Sequence, residues 1–221
     1  MVDSRLRGPI VLCVGEHWSA SCVYHAIRDF GVTHVISEAA PSPQPVQSFH
    51  EVVVQSYVRT MTPLMRRTSR ARIDTLMTRF PLRMTPIPKR RTVTVASVGD
   101  AKTMKWLKRL DPALVILFET QPLAEDVLQR IACPVLTMRP TLAVGQLASY
   151  WAFRRRTTIQ EVTIERWTPK GWTVVDRALL HAGGSDNFTT YPYLQLVTGL
   201  PLLIRQIEAC FQDEWMEQRN S

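Results

Sequence analysis

Two rhythms of apolar residues run through this chain. Ala113 to Phe118 is an unbroken apolar run, which suits a strand buried on both faces of a parallel sheet. Ile10 to Val14 is a short strand entered from Gly8-Pro9 and ended by Gly15, and Val32 to Ser37 and Val135 to Met138 read as further strands. Between them the spacing changes. Ser19 to Phe30 places Cys22, Val23, Ala26, Ile27 and Phe30 on a helical face, with Ser19 as N-cap and Gly31 as the stop. Leu123 to Ile131 does the same with Leu123, Val127, Leu128 and Ile131, with Pro122 in the first turn and Cys133-Pro134 ending the helix. Repeated strand–helix–strand units predict an α/β protein with a mostly parallel central sheet, flanked by helices and joined by right-handed crossovers. Ligands of such sheets bind beyond the carboxyl ends of the strands, so Glu119-Thr120-Gln121 and Arg139-Pro140-Thr141 border the expected site.

The remaining segments decorate that plan. Pro41, Pro43 and Pro45 predict an extended linker. Phe49 to Met65 reads as a helix with Val52, Val53, Ser56 and Tyr57 on one side, and Arg66 to Phe80 as an amphipathic helix with Ile73, Leu76 and Met77 as its apolar stripe. A loop holding Pro81, Pro86 and Pro88 leads to a short strand, Thr92 to Val95, and Asp100 caps a helix through Leu110. Val144 to Phe153 is a helix candidate. Thr158 to Trp167 and Trp172 to Leu180 form a β-hairpin about Pro169-Lys170-Gly171. Asp186 or Thr189 opens a helical tail, Tyr191 to Met216, which Pro201 is expected to kink or break. This gives an α/β domain over 1–181, with a basic helical insert at 46–91, and a helical extension over 182–221 that packs on it.

Charge changes the picture in one region. The net charge is +8, and Arg66 to Arg91 holds nine Arg or Lys against a single acid, Asp74. These cations suit the phosphates of a nucleotide-linked sugar, an anionic lipid surface or RNA, or simply a solvated face. Phe80 is the only aromatic interleaved with them, which argues against a single-strand-binding platform, so nucleic acid is not the favoured partner. Cys13, Cys22, Cys133 and Cys210 lack paired spacing, so a disulfide framework and a metal site are not expected. With no secretory core at the N-terminus and no unbroken apolar run near the roughly 20 residues of a membrane span, a cytoplasmic protein is expected. The first turn, Gly15-Glu16-His17-Trp18-Ser19, lacks the three-glycine dinucleotide fingerprint. His17 lies there, at the right edge of the sheet for a general base, or is a surface loop histidine; His181, after the hairpin, is a second candidate.

The order of elements, Cys133-Pro134 before a strand, Tyr150-Trp151-Ala152, the hairpin, and above all Asp186 to Leu196 with Gly199-Leu200-Pro201-Leu202-Leu203 resemble the bacterial formyltransferase family, near its sugar and amine N-formyltransferases. The resemblance implies a Rossmann-like fold and transfer of a formyl group from 10-formyltetrahydrofolate to a primary amine, on a small molecule or a nucleotide-linked sugar. It implies that Phe118, Glu119, Thr120 and Leu123 border the folate pocket; Arg90 and Arg91, from their charge, and His181, from its place after the hairpin, are the candidate acceptor-binding residues. Relatives use an Asn, a His two residues later and a downstream Asp; here Thr137-Met138-Arg139 and Lys170-Gly171-Trp172-Thr173 stand in their places. A guanidinium donates to an oxyanion but cannot act as a base, so Arg139 and Thr137 do not replace the trio by themselves. Two readings remain: an enzyme with a rebuilt site in which His17 is the base, moving a formyl or other acyl group, or a pseudoenzyme that is a binding or regulatory partner in a polysaccharide or cell-envelope pathway, with a protein partner or a second copy.

Overall fold

The computed structural model describes residues 8–39, 49–140, 150–151, 154 and 160–219. Five strands pair in parallel: β1 (Ile10–Gly15), β2 (Val32–Glu38), β3 (Thr92–Val95), β4 (Leu114–Phe118) and β5 (Val135–Pro140). An antiparallel hairpin, β6 (Glu161–Thr168) and β7 (Gly171–Leu179), extends the β5 edge. The order across the sheet is β3-β2-β1-β4-β5-β6-β7. The chain thus builds outward from β1 to β3, returns to the far side of β1 and builds outward again. That reversal makes a topological switch point between β1 and β4, where an open sheet opens a crevice at its carboxyl edge.

Alternation along the buried strands feeds two cores. Ile10, Leu12 and Val14 of β1 and Leu114, Ile116 and Phe118 of β4 meet α1 (Trp18–Ile27), α3 (Arg70–Arg79) and α6 (Tyr191–Arg219) on one face. Val11, Cys13, Val115 and Leu117 meet α4 (Ala101–Leu110) and the single turn α5 (Glu125–Leu128) on the other. α2 (Phe49–Thr68) packs Val54 and Val58 against Phe188 in a smaller cluster. The mostly parallel sheet, the hairpin and the long last helix all match the expected α/β architecture. The proline linker and most of the Val144 to Phe153 helix lie outside the described residues.

Three local expectations need correction. The helix after β4 is one turn long: Ala124 is its extended N-cap and Pro122 lies outside it. The reason is distant in sequence, because the buried Glu38 carboxylate accepts from the Gln121 N–H (2.6 Å) and the Val98 N–H (2.8 Å) and holds the loop extended. His17, not Ser19, is the N-cap of α1, and Ser19 lies inside the helix with its hydroxyl committed elsewhere. Pro201 does not break the last helix, which is continuous through it; the proline is exposed, so the carbonyl it leaves without a donor lies on the solvent side. Tyr191–Gln212 is long and apolar enough to cross a membrane by length and composition, although no unbroken apolar run marks it in the sequence. Half of its window is buried in the molecule, and Leu200, Leu203 and Ile207 have no exposure, so here it serves as the core helix of the fold.

Candidate functional site at the switch point

The turn after β1 and the turn after β4 meet at the carboxyl edge. Gly15 lies so close to the second turn that an added Cβ would overlap the Glu119 carbonyl oxygen, and the His17 N–H closes the first turn on the Gly15 carbonyl at 2.9 Å. Glu119 adopts the left-handed conformation (φ 56°). Asp111 does so too (φ 44°), but at the end of α4, where that conformation is a common helix stop. Glu119 ends a strand, and holding a non-glycine residue there costs about 1–2 kcal/mol. Strain of this kind concentrates at functional sites.

What the strained turn achieves is a hydrogen-bonded chain. The Ser19 hydroxyl donates to Glu119 Oε2 at 2.7 Å, Ser19 Oγ lies 2.7 Å from His17 Nδ1, and His17 Nδ1 is 3.4 Å from Glu119 Oε2. A serine hydroxyl has one hydrogen, and an ionised carboxylate only accepts. With that hydrogen on Glu119, the Nδ1–H must donate to Ser19, and the network assigns the lone pair to His17 Nε2. Among the described residues Nε2 has no protein partner, and the His17 side chain is 36% exposed. This is the tautomer a general base requires.

A cavity of about 20 Å³ adjoins the chain, lined by Ser19, Glu119, Phe118, Met138, Pro192 and Gln195 among others. Room of that size admits one water-sized group. Ser19, Glu119 and Gln195 are its polar lining. Gln195 was missed by sequence reasoning; its one signal is a polar residue between Leu194 and Leu196 on a helix that is otherwise core. A roomier cleft of about 700 Å³, lined by Leu107, Lys108, Asp111 and Ile131 among others, lies at the amino ends of the strands, the edge opposite to the one where sheets of this kind hold ligands.

The remaining predicted residues fall in different places. Thr137 is buried, one position after the Leu136 that packs with β1 and β4. By strand alternation Thr137 and Arg139 share the face opposite to Met138, and no recorded contact joins either to His17. Arg139 Nε pairs with Glu165 Oε2 at 3.3 Å, and its guanidinium carbon lies 5.3 Å above the Trp172 ring. Trp172 in turn stands edge-on to Trp167 across the hairpin, with centroids 5.5 Å apart. Phe118 is buried in the cavity wall, Thr120 is half-buried, and Leu123 packs beside Gly99 and Val127. Arg91 donates to the Val32 carbonyl at 2.8 Å, which pins it to the amino end of β2, and Arg90 beside it is exposed. His181 is exposed in the loop after β7.

Sheet order, switch point and flanking helices define a Rossmann-like α/β protein whose candidate site lies between β1 and β4. Solved structures of the same arrangement are formyltransferases. A phosphoribosylglycinamide formyltransferase from Anaplasma phagocytophilum superposes with a TM-score of 0.56 at 14% identity, over 94% of this chain and 89% of that one. A sugar N-formyltransferase from a Shewanella species superposes with a TM-score of 0.53 at 10% identity, over 93% of this chain and 71% of that one. No protein-family model matches the chain, and no curated protein matches it in sequence. The likeness is therefore one of fold, and the fold is that of the formyltransferases.

Proposed function

We propose that this protein is an N-formyltransferase with a rebuilt site, moving a formyl group from 10-formyltetrahydrofolate to a primary amine, with His17 as general base. The observation that carries this reading is the His17–Ser19–Glu119 chain, which leaves the lone pair on Nε2 at the one edge where this sheet topology collects ligands. The folate donor supplies an activated formyl carbon, and Phe118, Glu119, Thr120 and Leu123 would hold it. An attacking amine must shed a proton, and His17 Nε2 takes it. Glu119, 3.4 Å from Nδ1, steadies the imidazolium that results. The Gln195 amide lines the cavity beside them and is the group available to donate to a developing oxyanion, a role worth about 10²–10³-fold.

A second reading has its own observation. Arg139, half exposed, is engaged by Glu165 and Trp172, and Thr137 is buried, so the two positions that stand where relatives carry their Asn and His are tied up in the strand and its hairpin. That arrangement suits a binding relative without turnover. The test is to incubate the protein with 10-formyltetrahydrofolate and a panel of primary amines, including amino-sugar nucleotides, and to follow tetrahydrofolate release and formylated product by mass spectrometry. Product that disappears with His17→Ala supports the enzyme; folate binding without product on any amine supports the second reading.

A further inference from the structure

The outward face of α2 carries apolar side chains that the described residues do not cover. Phe49, Val52, Val53, Tyr57 and Leu64 are 85%, 46%, 49%, 45% and 53% exposed. At about 100° per residue they fall within one arc of roughly 140°. The buried residues of the helix, Val54 and Val58, lie on the adjoining arc with Met61 and Met65. Together the two arcs wrap about two-thirds of the helix, whereas a helix packed on one core needs a stripe of about 100°. Tyr57 touches the Tyr150 ring (5.7 Å) and still remains half exposed. Exposed Ser56, Thr60, Pro63 and Arg67 share that arc, so the face is mixed, and exposed apolar side chains gathered on one such face mark a surface that meets something.

Charge identifies what it meets. Arg59, Arg67 and Arg70, on α2 and at the start of α3, are exposed and have no partner among the described residues. Arg67 and Arg70 belong to the run in which nine cations face a single acid, and Arg59 precedes it. Two copies joined through this stripe would bring the same arginines together in a chain already carrying +8. Exposed apolar side chains on one helix face, with Arg67 among them and Arg59 at the edge, are the pattern of a helix that lies in the plane of an anionic membrane surface. We propose that the outer face of α2, with the arginines beside it, docks on an anionic lipid bilayer as a peripheral contact.

The test is sedimentation of the full chain with vesicles of phosphatidylcholine alone and of phosphatidylcholine with phosphatidylglycerol. Expected is pelleting with the anionic vesicles only, weakening as salt rises. A Val53→Ser/Leu64→Ser variant should lose it, and an Arg67→Gln/Arg70→Gln variant should bind about tenfold or more weakly, both with unchanged circular dichroism. Absence of pelleting, equal pelleting on neutral vesicles, or full binding by either variant would overturn the proposal. So would a lipid-free dimer that Val53→Ser/Leu64→Ser dissolves, which would assign the stripe to a second copy.

Discussion

Arg72 and Asp186, 114 residues apart, form a two-point ion pair: Nε to Oδ1 at 2.9 Å and Nη2 to Oδ2 at 3.0 Å. The pair ties the basic insert to the loop that launches α6. The Asp186 side chain has no exposure, and its Oδ2 also accepts from the Gly183 N–H at 2.7 Å. Asp186 is therefore a structural anchor, and neither it nor Thr189 opens the helix; the helix starts at Tyr191, directly after Thr190, whose carbonyl accepts from Tyr193 and Leu194.

Burial by itself would push the Asp186 carboxyl up, but hydrogen bonds from Arg72, Gly183 and Thr190 with the Arg72 charge outweigh it and hold the group below the ordinary carboxylate range. A lowered folded value means stability that is present above the unfolded carboxyl value of about 3.9 and is lost as pH falls through the folded one. Arg72→Ala leaves a buried carboxylate without its cation, and a loss of about 3 kcal/mol at neutral pH is expected, at the low end for such pairs because Arg72 is partly solvated. In the variant the carboxyl takes up its proton at higher pH, which relieves the penalty. Urea unfolding should show the gap to the parent narrowing as pH drops below about 4.

Gly15→Ala tests whether the switch-point geometry is fixed by backbone contact. The new Cβ overlaps the Glu119 carbonyl oxygen and comes within 3.2 Å of the carbonyl carbon, both backbone atoms in a strained turn. Relief requires moving Glu119, which separates its carboxylate from Ser19. The expected cost is about 1–3 kcal/mol in unfolding, together with a changed His17 imidazole signal by NMR. An unchanged signal in a destabilised variant would show that the chain of hydrogen bonds does not depend on this contact.

The sheet was legible in the sequence because strands buried on both faces leave unbroken apolar runs, and α4 because Asp100 caps it locally, accepting from the Thr103 N–H at 2.7 Å. What escaped depends on residues far apart. Glu38 reaches across 83 positions to shorten the helix after β4, and Ser19 across 100 to reach Glu119, so a good N-cap signal misled. No local pattern encodes either contact. Gly199 is an intermediate case: it was visible within the Gly199 to Leu203 block, but only the structure shows that α6 lies so close to the sheet that a Cβ there would overlap Met138 Sδ.

Thiol chemistry gives a separate check on the packing. Burial pushes Cys13 far above an ordinary thiol, and it pushes Cys22 up to about 11, with its own backbone hydrogen bond opposing and the Glu119 charge adding. Cys210 is buried as well, and Cys133 is half-buried. Because the thiolate is the nucleophile, a disulfide reagent at pH 8 should modify Cys133 first, with Cys13, Cys22 and Cys210 reacting only on unfolding. Raising the pH to 10 should not expose Cys22. Cys133→Ser should remove the fast phase entirely.

The order of damage within the candidate site separates a working base from a packed surface. If His17 Nε2 accepts the amine proton, His17→Ala should lower kcat by about 10²–10⁴-fold with little change in stability, because the side chain is 36% exposed. Ser19→Ala should be milder, since His17 Nδ1 already lies 3.4 Å from Glu119 Oε2 and can turn to that carboxylate directly. Glu119→Gln removes the charge that steadies the imidazolium, and it lets an amide N–H compete for Ser19, so the other tautomer becomes available. It should therefore cost more than Ser19→Ala in kcat. Gln195→Ala, in the cavity lining, should lower kcat by about 10²–10³-fold. Equal, small losses from all four would show that the residues shape the pocket and that the proton leaves by another route.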